Sequence, residues 1–229
     1  MARRRTAPAT SLATSLATSV TTALAVTLAA ALTLTGCFTG ERPTLAEEAA
    51  VGAPVGDPAS DAVLERFALG PDSTFTASYE ITNNFGPITR DATVVQAPDR
   101  RRSITVGDIR YVIEGASAVT CDLAAGPPCT ERIDDAAISD LQVTHQFYAR
   151  SAADRLRTDA ARRVGPTDGY EAEIAGRTAH CVSVPVSGGS KVYCVLDEGI
   201  LAQYQGPDVL ILMTGFDAEP DQTAFERSR

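Results

Sequence analysis

The sequence predicts an α+β fold in which a large curved antiparallel sheet of about ten strands, an incomplete barrel, wraps over a helical insertion. Three observations lead to this prediction. Short segments between residues 74 and 123 alternate apolar and polar side chains and are separated by Gly, Pro and Asn turns. A long stretch without Pro or Gly then repeats apolar residues at helical spacing. Strand-like segments resume after it, which favours one mixed domain over residues 61–216.

The first half of this domain is predicted to be a short helix followed by a strand meander. Residues 61–69 form the helix, with Ser60 or Asp61 as its N-cap and Gly70-Pro71 as its end. In the first strand the odd positions are apolar and the even positions are polar, which is typical of one buried face. The predicted strands cover residues 74–81, 88–97, 102–106, 109–114 and 118–123.

The second half is predicted to begin with the helical insertion. Residues 133–164 contain neither Pro nor Gly, and their apolar residues recur at steps of three and four with arginines between them. The pattern is consistent with a helical region that is interrupted at most once. Gly165-Pro166 is predicted to end this region. A polar, loose tail is expected over residues 217–229. The later strands are predicted at residues 170–175, 177–185, 191–196, 200–205 and 209–214.

The later strands are apolar on both faces, which predicts a second covering layer. Val182 and Val184 alternate with Cys181 and Ser183, and residues 209–213 include no polar side chain. An antiparallel sheet with one wet face alternates apolar and polar residues. The second face is therefore covered either by the helical insertion, as an ordinary core, or by an apolar ligand in a cavity between sheet and helix.

The N-terminal residues 1–36 have the organisation of a bacterial export signal. Three arginines at positions 3–5 precede an apolar run over residues 20–35, and that run is shorter than the roughly 20 residues of a membrane-spanning helix. The segment Leu34-Thr35-Gly36-Cys37 resembles the bacterial lipobox. The resemblance implies that residues 1–36 are a lipoprotein signal peptide and that Cys37 becomes the acylated N-terminus.

Acylation of Cys37 would fix the location of the protein. Two or three chains such as palmitate anchor a protein stably, so the expected location is the extracytoplasmic face of the cell membrane. Residues 37–60 are rich in Pro, Gly and Ala and are predicted to be the acylated N-terminus and a flexible tether. Both the Sec and the Tat export routes stay open.

The composition excludes one class of partner. The chain carries 20 Lys+Arg against 29 Asp+Glu, a net charge of −9, which argues against binding to nucleic acid. Lys191 is the single lysine, and alanine is abundant. That bias is typical of a high-GC genome such as that of an actinobacterium.

Four cysteines besides Cys37 predict two disulfides in an exported chain. Three pairings exist, and the local one joins Cys121 to Cys129 and Cys181 to Cys194. In a hairpin with Ser187-Gly188 as its turn, Cys181 lies opposite Cys194, whereas a turn at Gly188-Gly189 sets Ser183 opposite Cys194. A zinc site is disfavoured because no C-x₂₋₄-C spacing occurs. Phosphate binding at this Gly-rich turn is disfavoured because no helix follows it.

No catalytic motif is present, so the sequence predicts neither an enzyme, nor a cofactor, nor a metal site. His145 lies in the helical stripe and is interpreted as a packed or surface residue. His180 is interpreted as a strand residue that faces solvent. The arginine run at residues 100–102 is interpreted as a solvated turn in preference to a contact for an anionic head group.

The order of these elements resembles the half-barrel lipoprotein families: the LolA carriers, the mycobacterial LppX and LprG lipid carriers, and the sensor RseB. An early aromatic strand with Phe75 and Tyr79 leads to a Pro98-Asp99-Arg100 turn. Later, Gly176-x-x-x-x-Cys181 precedes Tyr193-Cys194-x-x-Asp197-x-Gly199. The resemblance implies an incomplete antiparallel barrel with an apolar cavity for acyl chains and no enzyme activity.

Two functions follow as expectations. The first is a membrane-anchored lipoprotein that binds or shuttles a lipid or another amphiphile in an apolar cavity. The alternative is a non-carrier envelope lipoprotein that acts as a sensor or a protein-binding scaffold, as RseB-like proteins do, with an envelope protein as its partner. Ligand-binding residues are guessed from the apolar strand faces: Phe75, Tyr79, Tyr111, Val184 and Ile211.

Overall fold

The computed structural model describes residues 50–226. Within this range the chain forms two α-helices, α1 (Pro58–Phe67) and α2 (Arg150–Ala161), and short 3₁₀ segments at Gly70–Asp72, Asp135–Leu141 and Gln222–Phe225. No helix of the described range has the length and apolarity to cross a membrane. The strands are β1 (Phe75–Asn83), β2 (Ile88–Gln96), β3 (Arg102–Val106), β4 (Ile109–Glu114), β5 (Ser117–Asp122), β6 (Asp168–Ile174), β7 (Arg177–Val186), β8 (Gly189–Leu196), β9 (Leu201–Gln205) and β10 (Val209–Asp217).

The ten described strands form one antiparallel sheet in the order β5-β4-β3-β2-β1-β10-β9-β8-β7-β6. The sheet is not closed, since β5 and β6 are its two ends. At the β5 end, a backbone bridge between Thr120 and Thr130 continues the ladder by one pair. The predicted α+β class with an open antiparallel sheet of about ten strands is confirmed.

The strand register sorts the apolar side chains onto one face, which we call the inner face. Tyr79 is paired with Met213, two residues from Ile211, and Ile211 is opposite Tyr204. Residues opposite one another, or two apart on one strand, share a face. Following the strand pairings in this way from one end of the sheet to the other places all five residues proposed to bind a ligand on the inner face: Phe75, Tyr79, Tyr111, Val184 and Ile211.

The inner face is covered by α2 and by the segment 134–149 that precedes it. The Phe147 ring packs edge-on against Tyr79 at 5.2 Å, and the Tyr148 ring packs edge-on against Phe75 at 6.1 Å. The Tyr111 hydroxyl donates a hydrogen bond to the Asp134 carbonyl at 3.1 Å. Side chains of the protein itself therefore fill the space between sheet and helix.

The second face of the later strands is only partly covered, contrary to the prediction. In β7 and β8 both faces are buried, with Cys181 and Val182 each at most 2 % exposed. In β10, however, Leu210 and Leu212 are half-buried, whereas Val209, Ile211 and Met213 are buried in the core. The apolar run in β10 therefore reflects one core face and one partly wet face.

The helical insertion is shorter and more broken than the sequence predicts. Asp135–Leu141 is a 3₁₀ segment, and it ends at Gln142, whose φ of 57° lies in the left-handed region. A left-handed residue cannot continue a right-handed helix. The α-helix itself begins only at Arg150, because residues 143–149 turn their aromatic side chains onto the sheet instead.

The first helix begins three residues before its predicted start. Asp57 is the N-cap: its Oδ1 accepts a hydrogen bond from the Ser60 amide at 2.9 Å, and Pro58 occupies the first helical turn. Burial raises the pKa of the Asp57 carboxyl, but hydrogen bonds from Ser60 and Thr167 and the Arg163 charge lower it overall. Residues 50–57, predicted to be tether, therefore belong to the folded unit.

The C-terminal residues 217–226 lie against the sheet, contrary to the predicted loose tail. Phe225 is 8 % exposed and belongs to a small second core with Val95 and Val112. The Arg101 guanidinium lies 4.6 Å from the centre of its ring. The neighbours of Phe225 in the sequence are mostly polar, so the composition of residues 217–229 did not predict that this ring packs on the sheet.

Both disulfides have the local pairing. Cys121 is bonded to Cys129, and Cys181 is bonded to Cys194. Val186 is paired with Gly189, so the β7–β8 hairpin turns at Ser187-Gly188. The register with Cys181 directly opposite Cys194 is the one that this turn requires.

Gly199 is a position where no other residue fits, and we expect Gly199→Ala to lower the free energy of unfolding by about 1–3 kcal/mol. Its φ is 77°, and a Cβ there would overlap the Gly70 nitrogen and the Arg66 carbonyl oxygen. Urea unfolding followed by circular dichroism measures the change. Gly86→Ala is the matched control, since its Cβ would be 3.9 Å from the nearest atom. Equal stability of the two variants would contradict this account.

Candidate functional site

The candidate site is a cleft of about 350 Å³ at one end of the sheet, which we call the rim cleft. It lies between the end of α1, the β2–β3 turn and the start of α2. Its floor is apolar: Val51, Pro71 and Ala149 supply accessible apolar surface, and the buried side chains of Phe67 and Tyr148 lie behind it. Small-molecule sites in proteins measure about 300–1,000 Å³, so the rim cleft is at the small end of that range.

The buried side chain of Gln96 at the end of β2 holds one wall of the rim cleft in place. Its Nε2 donates hydrogen bonds to the carbonyl oxygens of Gly70 at 2.8 Å and Ser73 at 2.6 Å. The 3₁₀ turn after α1 is thereby attached to the sheet, and the cleft does not depend on a free loop.

The rim cleft is basic, although the chain as a whole is acidic. Arg100, Arg102 and Arg150 line it, and no Asp or Glu is among its described lining residues. Arg100 pairs with Asp72, and Arg150 lies 3.5 Å from Asp154. In the range 50–226, by contrast, no carboxylate forms an ion pair with Arg102.

Arg102 instead faces the Tyr148 hydroxyl. Burial raises the pKa of Tyr148, and the hydrogen bond and charge of Arg102 only partly offset that rise. Tyr148 is therefore a neutral phenol at physiological pH, able to donate or accept a hydrogen bond at the cleft floor. The Arg102 guanidinium therefore has N–H groups that do not donate to any described carboxylate.

The backbone adds positive potential at the same place. Ala149 is the N-cap of α2, and no side chain caps this helix end. The first turn of a helix carries partial positive charge from its unpaired amides. Because Ala149 and Arg150 line the rim cleft, this partial charge has the same sign as the arginines.

The guessed ligand residues are core residues. Phe75, Tyr79, Tyr111, Val184 and Ile211 are each at most 4 % exposed, and none of them lines the rim cleft. Ile211 borders a second cavity of only about 60 Å³ under the segment before α2. The structure thus brings these five residues to one face but gives them no ligand-sized space.

The two histidines have carboxylate partners. His145 Nδ1 is 3.0 Å from Asp135 Oδ1, and the His145 side chain is 12 % exposed, as expected for a packed residue. His180 Nε2 is within hydrogen-bond distance of Asp197 Oδ1 at 3.0 Å, and Nδ1 is 3.4 Å from Glu171, so this side chain has protein partners and is not simply solvated. Within residues 50–226 no cluster of His, Cys, Asp and Glu has metal-site geometry. Cys37 lies outside the described residues.

A wider groove of about 530 Å³ follows the Ser187–Ser190 turn, where the sequence raised phosphate binding. Two basic side chains, Arg162 and Lys191, line this groove together with the acidic Asp159. Lys191 already donates to both Asp159 oxygens at 2.8 and 2.9 Å, and this carboxylate would repel an anionic ligand in a way that the acid-free lining of the rim cleft would not. The rim cleft is therefore the better candidate site.

Sequence reasoning found one part of the rim cleft and missed the rest. The arginine run at residues 100–102 is visible in the sequence, which favours a solvated turn over a contact for an anionic head group. Gln96, Tyr148 and Phe67 carry no local signal, since each resembles an ordinary strand or helix residue. A left-handed φ of 61° at Arg100 could not be foreseen either.

No protein-family model matches this chain, and no curated protein matches it. Solved structures that are similar to it include MucB, with a TM-score of 0.45, 12% identity, and coverage of 75% of this chain and 63% of that one. The MucA/MucB complex of Pseudomonas aeruginosa gives a TM-score of 0.42 at 15% identity, covering 75% of this chain and 62% of that one.

A LolA superfamily protein from Nitrosomonas europaea is also similar, with a TM-score of 0.28 and 9% identity, covering 69% of this chain and 91% of that one. The chain spans less than two thirds of the length of the MucB chains that it matches.

Proposed function

We propose that this chain is an extracytoplasmic lipoprotein, anchored through acylated Cys37, whose folded unit binds a single-chain amphiphile in the rim cleft. The observation that carries the proposal is the composition of that cleft. An apolar floor under a polar, basic mouth matches a molecule with one apolar chain and one polar head. Binding, and not catalysis, is the proposed role.

The size of the cleft limits the ligand. The interior between the sheet and its cover is filled by aromatic contacts such as Phe147 with Tyr79. The remaining space of about 350 Å³ is open at the rim and does not extend along the inner face. A single-chain amphiphile fits this space better than a lipid with several long chains.

The position of the cleft agrees with membrane anchoring. Val51 lines the cleft and Arg157 donates to the Ala50 and Val51 carbonyls at 2.7 and 2.8 Å, so this stretch is fixed to the domain. Residues 38–49 separate it from Cys37. A chain of this length can span at most about 43 Å, so an acylated Cys37 would keep the rim cleft within reach of the membrane surface.

Lipid recovery tests the function. Residues 38–229 contain the whole compact unit. They would be exported behind a cleavable signal peptide that has no lipobox, purified from the periplasm or medium, extracted with organic solvent and analysed by mass spectrometry. We expect one single-chain amphiphile per protein, and uptake of a fluorescent fatty acid by the delipidated protein. Recovery of no amphiphile together with no uptake of the probe would contradict the proposal.

The location is tested on the full chain in the native membrane. Metabolic labelling with palmitate should give a labelled band that Cys37→Ala abolishes. A band that persists in this variant would place the acyl group elsewhere, and absence of label in the parent chain would refute acylation.

A protein-binding scaffold is the second candidate, and the edge of the sheet favours it. No described strand pairs with β6 on its outer side, and most of its residues are exposed, including Tyr170 at 41 %. An open strand edge can accept an extended segment of a partner. A domain that folds stably, contains no lipid and takes up no probe would favour this candidate.

A further inference from the structure

We propose that the rim cleft selects amphiphiles with an anionic head group, a carboxylate or a phosphate, and that Arg102 is the residue that recognises the charge. This inference rests on the proposed function and names the chemical class of its ligand. It starts from the local reversal of charge. The chain has a net charge of −9, yet the described lining of its cleft includes three arginines and no acid.

Among the three arginines that line the rim cleft, Arg102 is the one whose guanidinium donors are not engaged by a described carboxylate. A guanidinium has five N–H donors in a planar fork that matches the oxygens of a carboxylate or phosphate. Tyr148 belongs to the same cleft lining as Arg102, and no carboxylate within residues 50–226 forms an ion pair with Arg102. The side chain is half-buried at the start of β3, so a bound anion there would be partly shielded from water.

Arg100 places a second cation at the same mouth. Its φ of 61° is left-handed, a conformation that costs most non-glycine residues about 1–2 kcal/mol. The side chain is 72 % exposed and pairs with an equally exposed Asp72. An exposed ion pair of this kind is weak, so Arg100 can turn to a ligand at little cost.

The apolar floor determines that the anion carries a chain. Val51, Pro71 and Ala149 supply accessible apolar surface in the same lining as the arginines, and a free inorganic anion would leave that surface unused. An ion with a short apolar tail would contact both parts. Burial of each additional CH₂ contributes roughly 0.8 kcal/mol, which separates an amphiphile from a free anion in affinity.

The test compares two fluorescent probes that differ only in charge: dansyl-undecanoic acid and its methyl ester, titrated into delipidated residues 38–229. We expect the acid to bind at least about tenfold more tightly than the ester, since a charge-assisted hydrogen bond contributes roughly 1.5–3 kcal/mol. Arg102→Gln should remove most of this preference. Arg102→Lys should keep part of it, because the charge remains without the fork.

Arg132→Gln is the matched control, because Arg132 is 72 % exposed and does not line the rim cleft. It should leave the affinities for both probes unchanged. Circular dichroism of each variant verifies the fold, and the ester, which needs only the apolar floor, reports whether the cleft is intact in Arg102→Gln.

Each outcome decides between the two proposals. Equal binding of acid and ester by the parent protein would overturn the charge selection and leave amphiphile binding in place. Binding of neither probe would overturn the proposed function itself. Displacement of the acid by inorganic phosphate at equal concentration would identify a free anion as the ligand and overturn the head-group assignment.

Discussion

Replacing Asp159 by alanine is expected to lower the free energy of unfolding by about 2–4 kcal/mol, because it leaves the buried Tyr193 hydroxyl and the half-buried Lys191 ammonium without their common partner. Asp159 on α2 is 7 % exposed and accepts hydrogen bonds from Lys191 at 2.8 and 2.9 Å. The Tyr193 hydroxyl also donates to this carboxylate. Burial, and then Asp159 itself, raise the pKa of Tyr193, so the phenol stays a donor at physiological pH.

Urea unfolding of Asp159→Ala beside Asp72→Ala measures this effect. The side chains of Asp72 and of its partner Arg100 are 71 % and 72 % exposed, and loss of this ion pair should cost no more than about 1 kcal/mol. A triple replacement, Asp159→Leu with Lys191→Met and Tyr193→Phe, removes every member of the network at once. It should recover most of the lost stability, since no unpaired polar group remains.

A loss below about 1 kcal/mol in Asp159→Ala would show that water reaches Lys191 and solvates it. The network would then be an ordinary surface ion pair. The stated loss would establish it as the main polar attachment of α2 to β8. Arg155, one turn earlier on the same helix, makes the neighbouring attachment through its 3.1 Å hydrogen bond to Tyr204.

The strands could be predicted because each has a signal in its own residues, independent of the rest of the chain. Alternation with a period of two marks β1, and Gly or Pro turns separate it from its neighbours. The hairpin between β7 and β8 could be predicted, but the sequence left two registers open. A turn at Gly188-Gly189 would set Ser183 opposite Cys194, and the structure has the other register, with Cys181 opposite Cys194.

The cover of the sheet could not be predicted, because its conformation depends on contacts distant in sequence. Residues 143–149 have helical spacing, yet Phe147 and Tyr148 gain more by packing on Tyr79 and Phe75 than by continuing a helix. Helix propensity differs by less than about 1 kcal/mol per residue, so tertiary burial of an aromatic ring outweighs it.

The rim cleft illustrates the same limit for function. It joins α1, the end of β2, the start of β3 and the start of α2, which lie far apart along the chain. Only the arginine run at residues 100–102 was visible beforehand, and an arginine in a turn is normally solvated. What distinguishes Arg102 is the lack of a described acidic partner, and that is a property of the folded chain.

Phe67→Ala is expected to lower the free energy of unfolding by about 3–5 kcal/mol and to deepen the rim cleft. The Phe67 ring is completely buried at the end of α1 and closes the bottom of the cleft. Its removal leaves a cavity that the attachment of the following turn to Gln96 prevents from collapsing fully. Phe85→Ala is the matched control, because this ring is 74 % exposed and its loss should leave stability unchanged.

The same variant separates a binding cleft from a packing defect. Because the Phe67 ring is buried directly behind the cleft lining, the space that alanine opens should extend the cleft and accept further CH₂ groups of a ligand bound there. Fluorescent fatty acids of longer chain should then gain affinity relative to shorter ones. A ligand that binds elsewhere would show no such change in preference, however unstable the protein becomes. Affinities measured well below the melting temperature of the variant, at equal folded fraction, therefore test the cleft independently of the stability that Phe67 contributes.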